Sequence, residues 1–411
     1  MLKLRDYQEA IVNEGYDKML RLNMIYLSME VRTGKTLTAL SLADKFTNTK
    51  GVLFVTKKKA IASIENDYNL LNPGYEITVI NYESLHKIEN DFDIIIVDEA
   101  HSIGTYPKPS KRYKDLKVIV NRHVYTKIIF LSGTPSPESY SQLFHQFRLL
   151  DRFSPFRDYV NFYKWAKVYV NVELKNLGYA KVNDYSGAKK DEIMKVLDKY
   201  FISYTQSEAG FNQRVNEHVI EVKMKPITYN LVKKLKKDLL IEGKDEVVLA
   251  DTSVKLQQKI HQLCSGTVKF ESGNSAVIDD SKALAIKEKF KGKKIAIFYI
   301  FKEEFNLLKE VFTNWTDSPE DFNKSDNLVF LGQIRSSREG VNLSSSDALI
   351  YYNIEFSALS YIQGKDRMTS KERTKDNNVY FIFSKGGIEK HIYKRVSNKL
   401  DFTNSYFKQI I

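Results

Sequence analysis

Three short segments of this chain combine residue types that bind and hydrolyse a nucleotide. In the first, Gly34, Lys35 and Thr36 follow the apolar run Met24–Ser28 and open a stretch with helical character. Free N–H groups at the start of a helix bind phosphate, the lysine adds a positive charge near the β- and γ-phosphates, and the threonine hydroxyl is a ligand for Mg²⁺. A glycine–lysine–threonine triplet also occurs by chance at helix starts, so this segment alone predicts only a candidate phosphate-binding loop.

The second and third segments each follow an apolar run. Asp98, Glu99 and His101 belong to the tetrad DEAH after Ile94–Val97, and Leu131–Pro135 reads LSGTP. Because ligands gather beyond the carboxyl ends of parallel strands, we expect Asp98 to hold Mg²⁺ through its water shell. We expect Glu99 to align and deprotonate the attacking water. An exposed acidic pair after a strand is the alternative.

His101 has two interpretations that the sequence leaves open. It either couples the nucleotide site to Ser132 and Thr134, or it is an ordinary buried histidine with a hydrogen-bond partner.

The elements that position these residues are short apolar runs separated by amphipathic stretches. They predict parallel sheets covered by helices on both faces, in two lobes. We predict a first lobe at residues 1–150, a helical accessory insertion at 151–252 and a second lobe at 253–411. The predicted strands after Met24–Ser28 are Val52–Val55, Ile77–Ile80, Ile94–Val97 and Ile128–Leu131 in the first lobe, then Ile295–Ile300, Leu328–Leu331, Ala348–Asn353 and Val379–Phe383 in the second.

Charge and cysteine content narrow the class of protein. The chain has 63 Lys and Arg against 51 Asp and Glu, a net charge of +12, which suits a polyanionic partner but also fits a soluble basic surface. Its single cysteine, Cys264, excludes an internal disulfide and a zinc site built from several cysteines. We therefore expect a reducing cytosolic compartment, and no apolar run predicts a membrane span or export.

Two features of the insertion have competing interpretations. Trp165 and its aromatic neighbours either stack on nucleic-acid bases or belong to a core, and we favour the core. Lys233, Lys234, Lys236 and Lys237 either form a track for phosphates or are a solvated helix face, and the second is the commoner case.

Taken in order, the segments resemble the superfamily-two helicases, and within them the Swi/Snf-type DNA translocases, over nearly the whole chain. Further matches are Leu4, Arg5, Tyr7 and Gln8 near the start, REGVNLSSSDALIYYN from Arg338, and YIQGKDRMTS from Tyr361. The resemblance implies two RecA-like lobes, ATP as the fuel, Mg²⁺ as the cofactor, and a compact bacterial or bacteriophage type.

The resemblance also assigns roles in binding ATP. Gln8 is expected to recognise adenine, with Arg5 beside it, because a paired donor and acceptor suit that base. In the second lobe Gly340 and Gln363 are expected near the nucleotide, and Arg367 is expected to reach the γ-phosphate and stabilise the developing charge.

The chain departs from the family pattern at three positions. Met29 and Arg32 stand where glycine is usual in the phosphate-binding loop, and Ser370 stands where a second arginine is usual. The candidates to replace that arginine are Lys365, Lys371 and Arg373.

Nucleic acid is expected at loops that follow strands in both lobes. The candidates are Lys57 and Lys58, Tyr82 as a weaker one, and Arg335 and Arg338. Such contacts would be directed at the phosphate backbone, sensitive to salt and nearly independent of sequence.

The residues and the resemblance together predict an ATP-dependent DNA helicase or translocase. We expect it to act on duplex or branched DNA, as a monomer, in a bacterial or phage-infected cytoplasm. The alternatives are an RNA-directed ATPase and a weakly hydrolysing ATP-dependent clamp. Strand separation, translocation and branch migration are not distinguished by these residues.

Overall fold

The computed structural model describes residues 3–123, 125–176, 181–211, 213–337, 341–370 and 373–398. The chain divides into two compact units, residues 1–210 and 211–411. No helix in these described ranges is both long enough and apolar enough to cross a bilayer.

Unit 1 is built on a six-stranded sheet. The six strands of this sheet are β1 (Met24–Met29), β2 (Gly51–Thr56), β3 (Glu76–Asn81), β4 (Ile94–Asp98), β5 (Lys127–Leu131) and β8 (Phe201–Tyr204), and a separate pair is formed by β6 (Glu173–Asn176) and β7 (Lys181–Asp184). Its helices are α1 (Asp6–Leu22), α2 (Lys35–Asp44), α3 (Ile61–Leu71), α4 (Lys111–Val120), α5 (Leu143–Phe147), α6 (Phe162–Tyr169) and α7 (Lys190–Leu197).

The sheet of unit 1 has the order β3-β2-β4-β5-β1-β8, and all its pairings are parallel. Alternate residues of each central strand enter two separate cores. In β4, Ile95 and Val97 belong to one core while Ile94 and Ile96 belong to the other. Both faces are thus covered by helices, which explains why the strands read as continuous apolar runs.

Unit 2 repeats this plan. Its strands are β9 (Val215–Val222), β10 (Leu240–Glu242), β11 (Val247–Leu249), β12 (Thr267–Lys269), β13 (Ser275–Val277), β14 (Ile295–Tyr299), β15 (Trp315–Thr316), β16 (Val329–Gln333), β17 (Ala348–Tyr351) and β18 (Asn377–Ser384). Its helices are α8 (Pro226–Asp238), α9 (Ser253–Cys264), α10 (Ser281–Lys289), α11 (Lys302–Val311), α12 (Pro319–Lys324), α13 (Ile334–Ser337), α14 (Ala358–Lys365) and α15 (Glu389–Val396).

The sheet of unit 2 has the order β15-β16-β14-β17-β18-β9, again with parallel pairing throughout. Alternation along β14 again divides the core, with Ala296 and Phe298 on one face and Ile295 and Ile297 on the other. The predicted α/β fold with two RecA-like parallel-sheet lobes is confirmed, and each predicted strand is present.

The segment 151–252 was predicted to be helical, and this is corrected: it combines helices α6, α7 and α8 with strands, two of which extend the main sheets. Strand β8 pairs with β1 at the edge of the first sheet, and β9 pairs with β18 at the edge of the second. Trp165 is fully buried among aromatic rings, so the interpretation as core is confirmed. The predicted domain boundaries at 150/151 and 252/253 stay a prediction.

Candidate nucleotide and nucleic-acid site

The candidate phosphate-binding loop connects β1 to the start of α2. Gly34 lies at the N-cap of α2 with φ of +80°, in the left-handed region that favours glycine. A Cβ added there would lie 2.4 Å from Nε2 of Gln8, so the position also lacks room for a side chain. Two residues earlier, Arg32 has φ of +66° without being a glycine. The loop therefore lies at the start of a helix, as the sequence predicts, and contains one left-handed residue other than glycine, which is sterically costly.

The start of α1 holds this loop. The backbone N–H of Arg5 donates to Oε1 of Gln8 at 3.0 Å, and Nε2 of Gln8 donates to the carbonyl of Gly34 at 3.2 Å. The hydroxyl of Tyr7 donates to the carbonyl of Thr33 at 3.0 Å, and the guanidinium of Arg5 donates to that hydroxyl. The structure thus brings Arg5 and Gln8 to the loop, and their predicted recognition of adenine stays a prediction.

A second support comes from the residues around the end of β8. The backbone N–H of Gln206 donates to Oε2 of Glu30 at 2.7 Å, and its side-chain amide donates to the carbonyl of Val31 at 3.0 Å. The ring of Tyr204 stacks on that of Tyr7 with centroids 4.5 Å apart. Sequence reasoning missed this contact because about 175 residues separate its two sides and no motif marks Gln206.

Lys35 and Thr36 form the first turn of α2. The ammonium of Lys35 donates to the carbonyl of Glu30 at 3.0 Å, which folds the side chain back over the loop. Thr36 is half-buried beside it. Both side chains therefore occupy the region where loop N–H groups and the helix N-terminus favour an anion.

Asp98 ends β4 and lies in the same site as Lys35. Its carboxylate accepts from the Thr56 hydroxyl at 2.7 Å and from the backbone N–H of Glu99 at 3.0 Å. Burial, and next the charge of Glu99, raise the pKa of Asp98 to about 6, while Thr56 and the charge of Lys35 oppose that rise. An acidic pair that is poorly solvated is stabilised by an added cation, so the donor set fits Mg²⁺.

Protein groups alone do not form a complete cage for a metal. Within the described ranges, no cluster of three or more His, Cys, Asp or Glu side chains has the arrangement of a metal site. Mg²⁺ retains several waters and commonly takes one or two protein ligands plus phosphate oxygens. Thr36 and Asp98 are therefore sufficient partners for a metal that arrives with a nucleotide.

A chain of contacts links the acidic pair to the LSGTP segment. Nδ1 of His101 lies 3.2 Å from Oε2 of Glu99 and 3.0 Å from Oγ of Ser132, and the backbone N–H of Thr134 donates to that Oγ at 3.1 Å. His101 is 7% exposed. It is thus buried, in contact with Glu99 and Ser132, and linked to Thr134 through Ser132. The coupling role stays a prediction.

Gly133 explains how that segment approaches the loop. A Cβ added there would lie 3.2 Å from the carbonyl oxygen of Met29 and 3.5 Å from Cα of Glu30. The two backbones are therefore packed closely enough for a movement of one to press on the other.

The predicted nucleic-acid contacts of unit 1 are placed differently from one another. Lys57 is half-buried and Lys58 exposed, directly after β2. Tyr82 is only 1% exposed, and its hydroxyl donates to the carbonyl of Asp98. Its ring lies under the guanidinium of Arg112, 5.1 Å from the centroid. The prediction of Tyr82 as a contact surface is corrected accordingly, because this side chain supports the end of β4 instead.

In unit 2, Gln363 and Arg367 lie at the end of α14 and in the short 3₁₀ turn after it. Nε of Arg367 donates to the carbonyl of Gln363 at 2.9 Å, and both residues are 5% exposed. The carbonyl of Arg367 accepts from the backbone N–H of Leu343 at 2.9 Å. The predicted pair is therefore held together inside unit 2.

Two candidates to replace the missing arginine have other partners. Lys365 forms an ion pair with Glu217 at 2.6 Å. Arg373 donates to the carbonyls of Ser344 and Ser346, both at 2.7 Å, and fixes the loop before β17. Lys371, the third candidate, lies outside the described residues.

Arg335 follows β16 and is the described nucleic-acid candidate of unit 2. Its side chain is 78% exposed while its Nε pairs with the buried carboxylate of Glu355. The pair orients a guanidinium at the carboxyl edge of the sheet. Arg338 and Gly340 lie outside the described residues.

Comparisons with known proteins identify a matching family and several relatives of this chain. The SNF2-related domain matches residues 31–271, more than half of the 411 residues. The chain is 22% identical over 375 residues to the CHD3-type chromatin-remodeling factor CHR7 of Arabidopsis thaliana, covering 81% of this chain and 28% of that protein. It is 21% identical over 378 residues to the ISWI chromatin-remodeling complex ATPase ISW1 of Saccharomyces cerevisiae, covering 81% and 31%.

A shorter match is to the chromatin-remodeling ATPase INO80 of Mycosarcoma maydis, 30% identical over 91 residues, which are 22% of this chain and 4% of that protein. The chain spans less than a third of the length of each of these relatives. The expectation of a bacterial or bacteriophage type stays a prediction. The extent of the family match, together with the paired parallel sheets, shows that the chain belongs to the SNF2-related domain family of nucleic-acid-dependent ATPases.

Proposed function

We propose that this chain is an ATP-dependent DNA translocase whose hydrolytic site contains Lys35, Thr36, Asp98 and Glu99. The observation that carries the proposal is that the loop after β1 and the end of β4 lie at the same carboxyl edge of the first sheet, separated by β5 alone, where the charge of Lys35 acts on Asp98. A lysine and an acidic pair at such a site suit a metal-bound triphosphate.

Binding is the task of the loop and its supports. The N–H groups at the start of α2 and the Lys35 ammonium receive the β- and γ-phosphates, so Lys35 exchanges its present contact with the Glu30 carbonyl for a phosphate oxygen. Thr36 and Asp98 would hold Mg²⁺, which would supply positive charge to neutralise the phosphates. Tyr7, Gln8 and Gln206 keep the loop in place while its ligand changes.

Hydrolysis is assigned to Glu99. Its carboxylate lies next to Asp98 and contacts His101, so a water bound there has a base within reach and a positioned neighbour. His101 and Ser132 connect that base to Thr134. We infer that the change from triphosphate to diphosphate is transmitted along this route to the LSGTP segment. Arg367 as the arginine that stabilises the transferred phosphoryl group belongs to the same proposal.

DNA is the proposed polymer because relatives with this domain are named as chromatin-remodeling factors and ATPases. Lys57, Lys58 and Arg335 supply backbone contacts in the two units, each directly after a strand. These contacts carry no base-specific readout, which suits movement along any sequence. A monomeric state and a cytoplasmic location in a bacterial or phage-infected cell remain part of the proposal.

The experiment is steady-state phosphate release with no nucleic acid, single-stranded DNA, duplex DNA and RNA. Duplex DNA is expected to stimulate turnover most. Stronger stimulation by RNA would replace the proposal with an RNA-directed ATPase, and ATP binding without turnover in any arm would indicate a clamp. Lys35→Ala is expected to abolish turnover, and Glu99→Gln is expected to bind ATP but hydrolyse it very slowly.

A further inference from the structure

Helix α8 carries four lysines close together on its solvent side. Lys233, Lys234, Lys236 and Lys237 are all exposed, whereas Thr228 and Leu235 are buried against the rest of unit 2. At 3.6 residues per turn, the four lysines occupy an arc of about 160° opposite Leu235 and a rise of about 6 Å along the axis. We call this surface the α8 face.

The α8 face has no acidic partner in the part of the chain that the structure describes: no ion pair joins any of the four lysines to a carboxylate. Other lysines of the same region do have such partners. Lys225 pairs with Asp280 at 2.7 Å and Lys255 pairs with Asp251 at 3.0 Å. Like charges one turn apart destabilise a helix, so the face is better matched by an external anion with closely spaced charges.

Helix α8 begins at the carboxyl edge of the second sheet. It begins four residues after the carboxyl end of β9, and the Thr228 hydroxyl donates to Asp279 at 2.6 Å. Helix α9, which packs against α8, reaches the same edge, where Nε2 of His261 lies 2.6 Å from Oδ1 of Asn353. Parallel sheets bind ligands at this edge.

Arg335 stands on the same edge, directly after β16. Strand β9 is four strands from β16 in the sheet, a lateral distance of about 19 Å at about 4.8 Å per strand. Duplex DNA carries one negative charge per about 1.7 Å of axis, so a segment that passes Arg335 offers phosphates over that distance.

A second lysine cluster in unit 2 gives a contrast. These exposed lysines lie in the last turn of α10 and in the loop from there to β14: Lys287, Lys289, Lys291 and Lys293. Because the strands are parallel, these lysines are at the amino edge of the sheet, opposite to Arg335. The two clusters thus match in charge and differ in position.

We propose that the α8 face binds the phosphate backbone of duplex DNA and extends the contact that Arg335 begins. This rests on the proposed function, and it adds a surface that neither the strand-end motifs nor the nucleotide site includes. Recognition is through charge alone, so the surface increases affinity and salt dependence without sequence preference.

The test compares the full chain with two fourfold variants. One is Lys233→Gln/Lys234→Gln/Lys236→Gln/Lys237→Gln, and the control is Lys287→Gln/Lys289→Gln/Lys291→Gln/Lys293→Gln. Glutamine keeps the helix propensity of lysine, and circular dichroism with thermal unfolding checks that both variants fold. Fluorescence anisotropy then measures affinity for a labelled DNA duplex and for an RNA duplex between 50 and 300 mM salt, conditions chosen from the known dependence of such contacts.

Each lysine that contacts phosphate contributes about 0.9 to the slope of log K against log salt concentration. This corresponds to a change of about eightfold in affinity for a tenfold change in salt concentration. The α8 variant is therefore expected to lose up to about 3.6 from that slope on duplex DNA, while the control binds like the wild type. Equal losses in both variants, no loss in the α8 variant, or a loss confined to RNA would each overturn the proposal. A wild-type chain that fails to bind duplex DNA would instead count against the proposed function.

Discussion

The hydrogen bond from Thr56 to Asp98 gives a direct test of the site, because Thr56 was found only in the structure. Its hydroxyl donates to Oδ2 of Asp98 at 2.7 Å. Thr56→Val keeps the shape of the side chain but removes the donor, so we expect it to destabilise the ionised form of Asp98. A hydrogen bond to a charged group contributes about 1.5–3 kcal/mol. The expected loss in kcat/KM for ATP is therefore about 10- to 150-fold at neutral pH.

The same change predicts a shift in pH dependence. The pKa of Asp98 is raised to about 6 by burial and by Glu99, and the Thr56 hydrogen bond opposes that rise. Removing the donor therefore raises the pKa of Asp98 further. Since Asp98 is proposed to hold the metal through its ionised carboxylate, activity should fall as the pH drops through this pKa. The acid limb of the rate profile should therefore move to higher pH.

The assay is phosphate release at saturating DNA and fixed Mg²⁺ between pH 5.5 and 9, a range chosen to bracket the shift, with Thr56→Ser as the control. Serine retains the hydroxyl, so this variant should keep the wild-type acid limb. A Thr56→Val enzyme with unchanged kcat/KM and an unchanged acid limb would refute the role of Thr56. It would also show that the ionisation of Asp98 does not control the measured rate.

Three further results are expected from unfolding experiments. Arg32→Gly should be about 1 kcal/mol more stable than Arg32→Ala, because both lose the side chain and only glycine relieves the left-handed φ of +66°; equal stability would contradict this. Lys282→Met should cost about 3–5 kcal/mol, since it leaves the buried Glu389 charge, 2.7 Å away, unpaired; adding Glu389→Gln should restore most of the loss. Burial lowers the pKa of His261 to about 4, so the folded state keeps the imidazole neutral. The free energy of unfolding should therefore fall by up to about 1.4 kcal/mol per pH unit as the pH drops from about 6.5 to 4. Urea titrations of His261→Gln should lack this part of the pH dependence.

Residues whose role follows from local chain order were predictable. The apolar run of β4 ends in an acidic residue, and a strand–loop–helix sequence surrounds Lys35, so both places could be read without coordinates. Continuous apolar strands likewise indicated a sheet buried on both faces.

Residues whose role depends on contacts between distant segments were not predictable. Thr56 meets Asp98 because β2 pairs with β4, and its sequence context, TKKK, indicates a basic loop instead. Tyr82 was predicted at a surface because it follows a strand, yet its ring turns inward and its hydroxyl reaches the Asp98 carbonyl. Strand β8 is four residues long, which is too short for its periodicity to reveal that it extends the first sheet.

Movement along duplex DNA is the central claim, and displacement of a triplex-forming strand measures it most directly. The wild-type chain with ATP and Mg²⁺ should release the third strand from a duplex while the two duplex strands stay paired, and Glu99→Gln should not. Release that is equal with and without ATP, or equal in the Glu99→Gln variant, would contradict an ATP-driven translocase.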